Sequence, residues 1–189
     1  VFEELIRKFN EENNEEAGEH YTPREVIDLM THMVFEPIKD KIPSVITIYD
    51  PACGTGGMLT ESEHFITDDE GEIKPVTTSV YLFGKEVNDE TYAICKSDMM
   101  IKGKDPEHIK VGSTLSTDEF AGTKFDFMLS NPPYGKSWAS EQKYIKDGKD
   151  IIDNRFKIKL KNYWGEEEDA DAVPRSSGGQ LLFLMEMVD

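Results

Sequence analysis

Between Ser44 and Leu59 the chain reads Ser-Val-Ile-Thr-Ile-Tyr-Asp-Pro-Ala-Cys-Gly-Thr-Gly-Gly-Met-Leu, and few folds accommodate that order of residue types. Val45, Ile46, Ile48 and Tyr49 form a β-branched and aromatic run, Asp50-Pro51 ends it, a glycine cluster turns the backbone, and an apolar helical pattern follows. Strand, tight loop and helix in this order open a wound α/β sheet. Gly54, Gly56 and Gly57 carry no Cβ where the backbone must turn sharply, so a small polar ligand can lie against the main chain at the positive end of the helix. The third glycine spacing of the dinucleotide fingerprint is missing, and so is the Lys-Ser/Thr of a P-loop.

The same alternation continues downstream. Val80 to Gly84 reads as a second strand ending at Lys85-Glu86-Val87-Asn88, His108 to Val111 as a short third before Gly112-Ser113-Thr114-Leu115, and Phe125 to Ser130 as a fourth. Thr22-Pro23-Arg24-Glu25 has the form of a capping box with Pro at the first helical position, and predicts a helix with Val26, Ile27, Met30, Met33 and Val34 on its apolar face. Asp89 to Ile101, capped by Asn88 or Asp89 and stopped by Gly103, offers Tyr92, Ile94, Cys95 and Met99 for packing. The expected class is therefore α/β, with a predominantly parallel sheet flanked by helices.

Outside this frame the character changes. Phe2, Leu5, Ile6 and Phe9 fall at helical spacing, so residues 1–17 read as a helical lead-in to one domain over 18–189; a preceding helical domain as its source stays open. Thr67 to Ser79 is acidic and turn-rich, as an exposed insertion is. Arg155 to Lys161 alternates basic and apolar like a half-buried strand, Glu166 to Asp171 reads as an acidic linker, and Gln180 to Val188 as a helix turning Leu181, Leu184, Met185 and Val188 to the sheet. The chain starts on Val and stops inside that amphipathic run, so it is expected to be a piece of something longer.

The fourth strand delivers Asn131-Pro132-Pro133-Tyr134, the strongest chemical signal in the chain. An exocyclic amine conjugated with its ring is a poor nucleophile. A carboxamide oxygen and a backbone carbonyl can accept its two hydrogens, which turns the nitrogen lone pair toward an incoming group; Asn131 can supply the first and Pro132 the second. The prolines stiffen the turn and remove donors that would compete for those acceptors. Tyr134 can stack on a base turned out of its duplex.

Taken in order, Gly-Glu-His-Tyr-Thr-Pro from Gly18 to Pro23, the Asp-Pro-Ala-Cys-Gly-Thr-Gly-Gly loop, Glu86 and Asn-Pro-Pro-Tyr resemble the N6-adenine DNA methyltransferases. Within them the resemblance is to the modification subunits of type I restriction-modification systems, and runs from about Gly18 to the end. It implies a Rossmann-like S-adenosylmethionine-dependent methyltransferase fold, truncated here before the last strands of a seven-stranded sheet. It implies direct in-line transfer of methyl from S-adenosylmethionine to adenine N6 in a specific DNA site, without a covalent enzyme intermediate or a metal. By the same resemblance Tyr21, Thr22 and Pro23 close over the methionine end of the cofactor, and Asp50, Ala52, Gly54, Thr55, Gly56 and Gly57 form its loop. Glu86 takes the ribose hydroxyls, Ser113 meets the adenine ring, and Leu115 and Asn131 also bind the cofactor. Ser113 stands where the family often has an acidic residue. Catalysis falls to Asn131, Pro132, Pro133 and Tyr134.

Net charge decides who holds the DNA. At −17 the long-range field repels polyanions, whereas a DNA binder that works alone is normally basic. The one basic stretch, residues 143–161, has seven Lys/Arg against three Asp, a shallow phosphate-contacting surface at most. A separate specificity subunit that reads DNA, with a restriction subunit beside it, is the partner set the family implies. Cys53 and Cys95 show no CxxC spacing and no disulfide framework, which fits a reducing cytoplasm, and the four histidines show no metal-ligand spacing. No apolar run reaches membrane-spanning length, so no membrane partner is expected. Two other readings stay open: a methyltransferase acting on protein glutamine, which also uses Asn-Pro-Pro-Tyr, and a donor-binding but inactive assembly subunit.

Overall fold

A computed structural model describes residues 22–67, 78–170 and 173–188. The expected lead-in helix, Tyr21 and most of the acidic insertion lie outside them. The chain divides into two compact units, one of residues 1–111 and 120–131, the other of residues 112–119 and 132–189.

The first unit holds the parallel sheet. Its elements are α1 (Arg24–Phe35), β1 (Val45–Asp50), α2 (Gly57–Thr67), β2 (Ser79–Glu86), α3 (Asp89–Ile101), β3 (Ile109–Val111) and β4 (Phe127–Met128). Strand order is β3-β2-β1-β4, every pairing parallel, with Val45 opposite Ser79 and Asp50 opposite Gly84. Alternation along the strands sends Ile46, Ile48 and Leu82 into one core with Ile27, Leu59 and Met99 of the helices. The opposite face carries an aromatic cluster, in which Tyr49 stacks on Phe125 at 4.6 Å between ring centres and Phe83 on His108 at 4.3 Å. The predicted α/β class and parallel sheet are what the first unit shows.

Local details differ from the sequence reading for identifiable reasons. In α1 the cap is Pro23, whose carbonyl accepts from the Val26 and Ile27 amides, so the expected capping box does not form. The phase of α1 is set by Phe35, packed edge-on to Phe127 at 4.9 Å, which brings Ile27 and Thr31 inward and leaves Val26 and Met33 exposed. Strand β4 is two residues long instead of six. The Asp126 carboxylate accepts from both the backbone N–H and the hydroxyl of Thr47, at 2.8 and 2.9 Å, where a longer β4 would have placed a backbone carbonyl. In α3 the cap is as expected: the Asn88 side chain accepts from the Glu90 and Thr91 amides.

The second unit is built on short elements: α4 (Gln142–Ile145), the paired β5 (Lys146–Asp147) and β6 (Asp150–Ile151), the hairpin β7 (Ile158–Lys161) and β8 (Glu167–Ala170), and α5 (Gly179–Val188). Leu115, Trp138, Ile145, Phe156 and Leu182 form its core. The segment predicted as an acidic linker is β8, whose backbone pairs residue for residue with β7 and sets Glu167 opposite Lys161.

Arg155 does not join the alternation expected of residues 155–161. It sits in a single 3-10 turn (Asn154–Phe156), buried, donating to Asp153 at 2.7 Å, Glu186 at 2.6 Å and the Thr114 carbonyl at 2.8 Å. Burial pulls this guanidinium down, but the Asp153 hydrogen bond and the Glu186 charge more than offset that and raise it. It is an ion-paired strut of the second unit and is not available to DNA phosphates. The same pair sets the phase of α5: Glu186 must face Arg155, so Leu182, one turn earlier, is the buried leucine, while Leu181, Leu184 and Val188 are exposed, contrary to the expected face.

Candidate active site

Parallel strands share a direction, so β1, β2 and β4 end along one edge of the first unit's sheet. The order β3-β2-β1-β4 reverses beside β1, which is where open α/β sheets bind their ligands. β1 ends in Asp50, β2 in Glu86, and β4 leads within three residues to Asn131.

Glu86 ties the edge together. One of its oxygens accepts the Gly54 amide at 3.0 Å and the other the Asn88 amide at 2.8 Å, which clamps the glycine loop to the end of β2. An ionised carboxylate has about four acceptor positions, so two remain for hydroxyls of a ligand. Ala52, Gly54 and Thr55 of the loop are half-buried.

Gly54 and Gly56 have φ of 54° and 86°. At Gly56 a Cβ would also stand 2.8 Å from Cys95 Sγ and from Met99 Cε. Its glycine is thus required by close packing of the loop on α3, a reason distinct from ligand approach. At Gly57 a Cβ would meet Ile27 at an ordinary 3.6 Å. Gly84 is a residue the sequence reading passed over: a Cβ there would lie 2.8 Å from Cys53 Sγ, so the missing side chain in β2 is what seats Cys53 of the loop. A glycine within a strand pattern was the available signal. The free thiols of Cys53 and Cys95 are both buried, and the hydrogen bond that the Cys53 thiol makes to Cys95, together with burial, pushes that thiol up, away from reactive thiolate.

Asp50 is almost fully buried, with one oxygen accepting the Ala52 amide at 2.9 Å. Burial pushes its carboxyl up from 3.8 to about 7, against the opposing pull of Ser130 and of that amide and with help from the nearby Glu86 charge. A raised carboxyl contributes stability that is present below its unfolded value of 3.8 and is lost as pH rises through about 7. At about 1.4 kcal/mol per tenfold change in proton affinity, keeping Asp50 ionised costs on the order of 4 kcal/mol. Without ligand the protein is expected to unfold at a lower temperature at pH 8 than at pH 6, and Asp50→Asn to remove most of that difference. Thermal unfolding of both forms at the two pH values measures it; an equal drop in the variant would show that the effect arises elsewhere.

Asn131 is exposed, and its Nδ2 donates to the Thr22 hydroxyl at 3.2 Å, across 109 residues of chain. Thr22, expected as a helix cap, thus holds this amide instead, and with Nδ2 engaged the amide's Oδ1 is its remaining acceptor. Pro23 is exposed beside it. Pro132, Pro133 and Tyr134 follow in the chain as the first residues of the second unit's longer segment, Tyr134 with 90% of its surface exposed. Also in the second unit, the Ser113 hydroxyl lies 3.5 Å from Glu141, its carbonyl accepts the Ser116 and Thr117 amides, and Leu115 is packed in the core. Among the described residues no group of three or more His, Cys, Asp or Glu has metal-binding geometry.

The family profile described as N-6 DNA methylase matches residues 1–173. The chain belongs to that family. Its relatives include the methylase subunit of the HindI type I restriction enzyme of Haemophilus influenzae, 29% identical over 143 residues that make up 75% of this chain and 30% of that one. The MpnII methylase subunit of Mycoplasma pneumoniae is 27% identical over 195 residues, 98% of this chain and 31% of the relative. Among solved structures, the methyltransferase subunit of a type I restriction-modification system from Streptococcus thermophilus superposes with a TM-score of 0.61 at 27% identity, covering 89% of this chain and 31% of that one. The chain therefore spans about 30% of the length of the N-6 DNA methylase relatives it matches.

Proposed function

We propose that this chain carries the methyl-donor site and the amine-orienting asparagine of a modification subunit that methylates adenine N6 in DNA as part of a type I restriction-modification complex. The observation that carries the reading is the placement of Asp50, Glu86 and Asn131 at one strand edge, with the Asn131 amide held by Thr22. The donor chemistry fits these residues. Glu86 keeps two acceptor positions for the ribose hydroxyls, and Asp50, ionised at a cost in the empty site, gains a cationic partner when a sulfonium or ammonium group binds. S-adenosylmethionine would supply an electrophilic methyl group there.

The protein's own part is orientation. With Nδ2 on Thr22, Asn131 presents Oδ1 to one amine hydrogen of the base, and the carbonyl of Pro132, the next residue, takes the other. That frees the nitrogen lone pair from conjugation, so that it could bond to a sulfonium methyl as the C–S bond breaks and the donor leaves as a thioether, the nitrogen giving up one proton to solvent. Tyr134, two residues further, offers the aromatic face against which a base taken out of the stack can rest. Approximation and alignment account for most of the acceleration, with no group of the enzyme forming a covalent bond. Ser113 is assigned to the adenine ring of the donor by its hydroxyl, and Leu115 to donor binding.

A chain of net charge −17 leaves the duplex to a basic specificity subunit, with a restriction subunit completing the complex. No helix of the described residues is long and apolar enough to cross a membrane, and the reading places the protein in the cytoplasm. The test uses the full-length chain with its DNA-reading subunit and a donor labelled in the methyl group. Label should appear on adenine N6 of duplex DNA and not on a release-factor glutamine. Label on the protein substrate would overturn the DNA reading, and label on neither would leave a donor-binding assembly subunit.

A further inference from the structure

The turn between β7 and β8 holds two large aromatic side chains in water. Tyr163 is 92% exposed and Trp164 80%, with their rings edge-to-face at 5.2 Å. The turn beneath them is closely hydrogen-bonded. The Asn162 side-chain oxygen accepts the Trp164 and Glu166 amides, both at 3.0 Å, its Nδ2 donates to Glu168 at 2.8 Å, and Gly165 takes φ 82° to close the loop. A turn this constrained presents its aromatics already ordered, and exposed Tyr and Trp with few rotatable bonds are the residues that anchor protein interfaces.

The surrounding charge selects the occupant. In sequence, four consecutive carboxylates, Glu166 to Asp169, follow the tip directly, against two lysines, Lys159 and Lys161, in the strand before it. Lys159 lies 3.9 Å from Glu167, and Lys161 is paired in register with the same residue. That acidic run repels a phosphate backbone, so stacking on nucleic-acid bases is disfavoured here. It complements a protein surface whose apolar pocket is ringed by Lys and Arg. We propose that the Tyr163-Trp164 tip is the anchor by which this chain docks onto its basic DNA-holding partner. This rests on the division of labour proposed above, in which a chain of charge −17 works beside a protein that must be basic to hold DNA.

The test compares the full-length protein with its Y163S/W164S and Y163F/W164F forms. Association with the DNA-reading subunit is measured by sedimentation at two salt concentrations, alongside thermal unfolding and donor affinity of each form. The serine pair should weaken association at least tenfold with unfolding temperature and donor affinity unchanged, the phenylalanine pair should retain most of it, and higher salt should weaken the wild-type complex. Undiminished association of the serine pair would overturn the proposal. So would a loss confined to binding of single-stranded DNA, which would make the tip a base-stacking element. If the wild-type chain itself failed to associate with that subunit, the divided-labour reading would fall first and this partner with it, an outcome distinct from a variant that binds normally.

Discussion

Asn131→Ala is expected to lower methyl transfer to adenine in the assembled enzyme by about a hundredfold or more while leaving donor affinity nearly unchanged. In the proposed mechanism the carboxamide oxygen is the acceptor that turns the amine out of conjugation, and loss of one oriented hydrogen-bonding group at a reacting centre lowers turnover by on the order of 10²- to 10³-fold. Thr22 holds the amide by its nitrogen, so Asn131→Asp keeps an acceptor but loses the donor that orients it. It should fall between alanine and wild type. Single-turnover transfer of labelled methyl, with calorimetric titration of donor, separates the two effects. Wild-type turnover in the alanine variant would show that the amine is oriented by other groups.

The second large effect is expected at Gly56. Valine there must adopt a φ near 86°, which costs an L residue about 1 to 2 kcal/mol, and its Cβ would overlap Cys95 Sγ and Met99 Cε, each 2.8 Å away. Relief requires the loop to move off α3, which also disturbs Gly54, the residue whose amide Glu86 holds. Gly56→Val should therefore lose donor binding by a hundredfold or more and lower the unfolding temperature, while Glu86→Ala should weaken donor binding with a smaller change in stability. Unchanged donor affinity in Gly56→Val would remove the glycine loop from the site.

Where the sequence reading worked, it worked on elements whose information is local. The β-branched run before Asp50, the Asn88 cap of α3 and the left-handed glycines are set by φ/ψ preference and by partners within a few residues, so residue order alone specifies them. Where it failed, a distant residue decided. Val26 and Leu181 look as fit for burial as Ile27 and Leu182. The Phe35 contact with Phe127 and the Glu186 contact with Arg155 rotate each helix by about one residue from the expected face. Likewise β4 is cut short by a carboxylate bound to Thr47, 79 residues away.

By itself the sequence determined the α/β class and the strand, loop and helix at Asp50 to Gly57, and it named the residues on which the proposed donor and amine sites rest. Periodicity, capping and motif spacing are properties of short stretches and survive without a fold. Only the tertiary structure decided what those residues touch. It made Thr22 the anchor of the Asn131 amide instead of a helix cap, fitted Gly56 against Cys95 and Met99, and pushed the Asp50 carboxyl to about 7 by closing it off from water. It also took Arg155 out of a surface that looked basic and set it between two carboxylates. Each depends on burial and on partners 30 to more than 100 residues away, or on the solvent that the fold excludes, and neither quantity is written in local residue order.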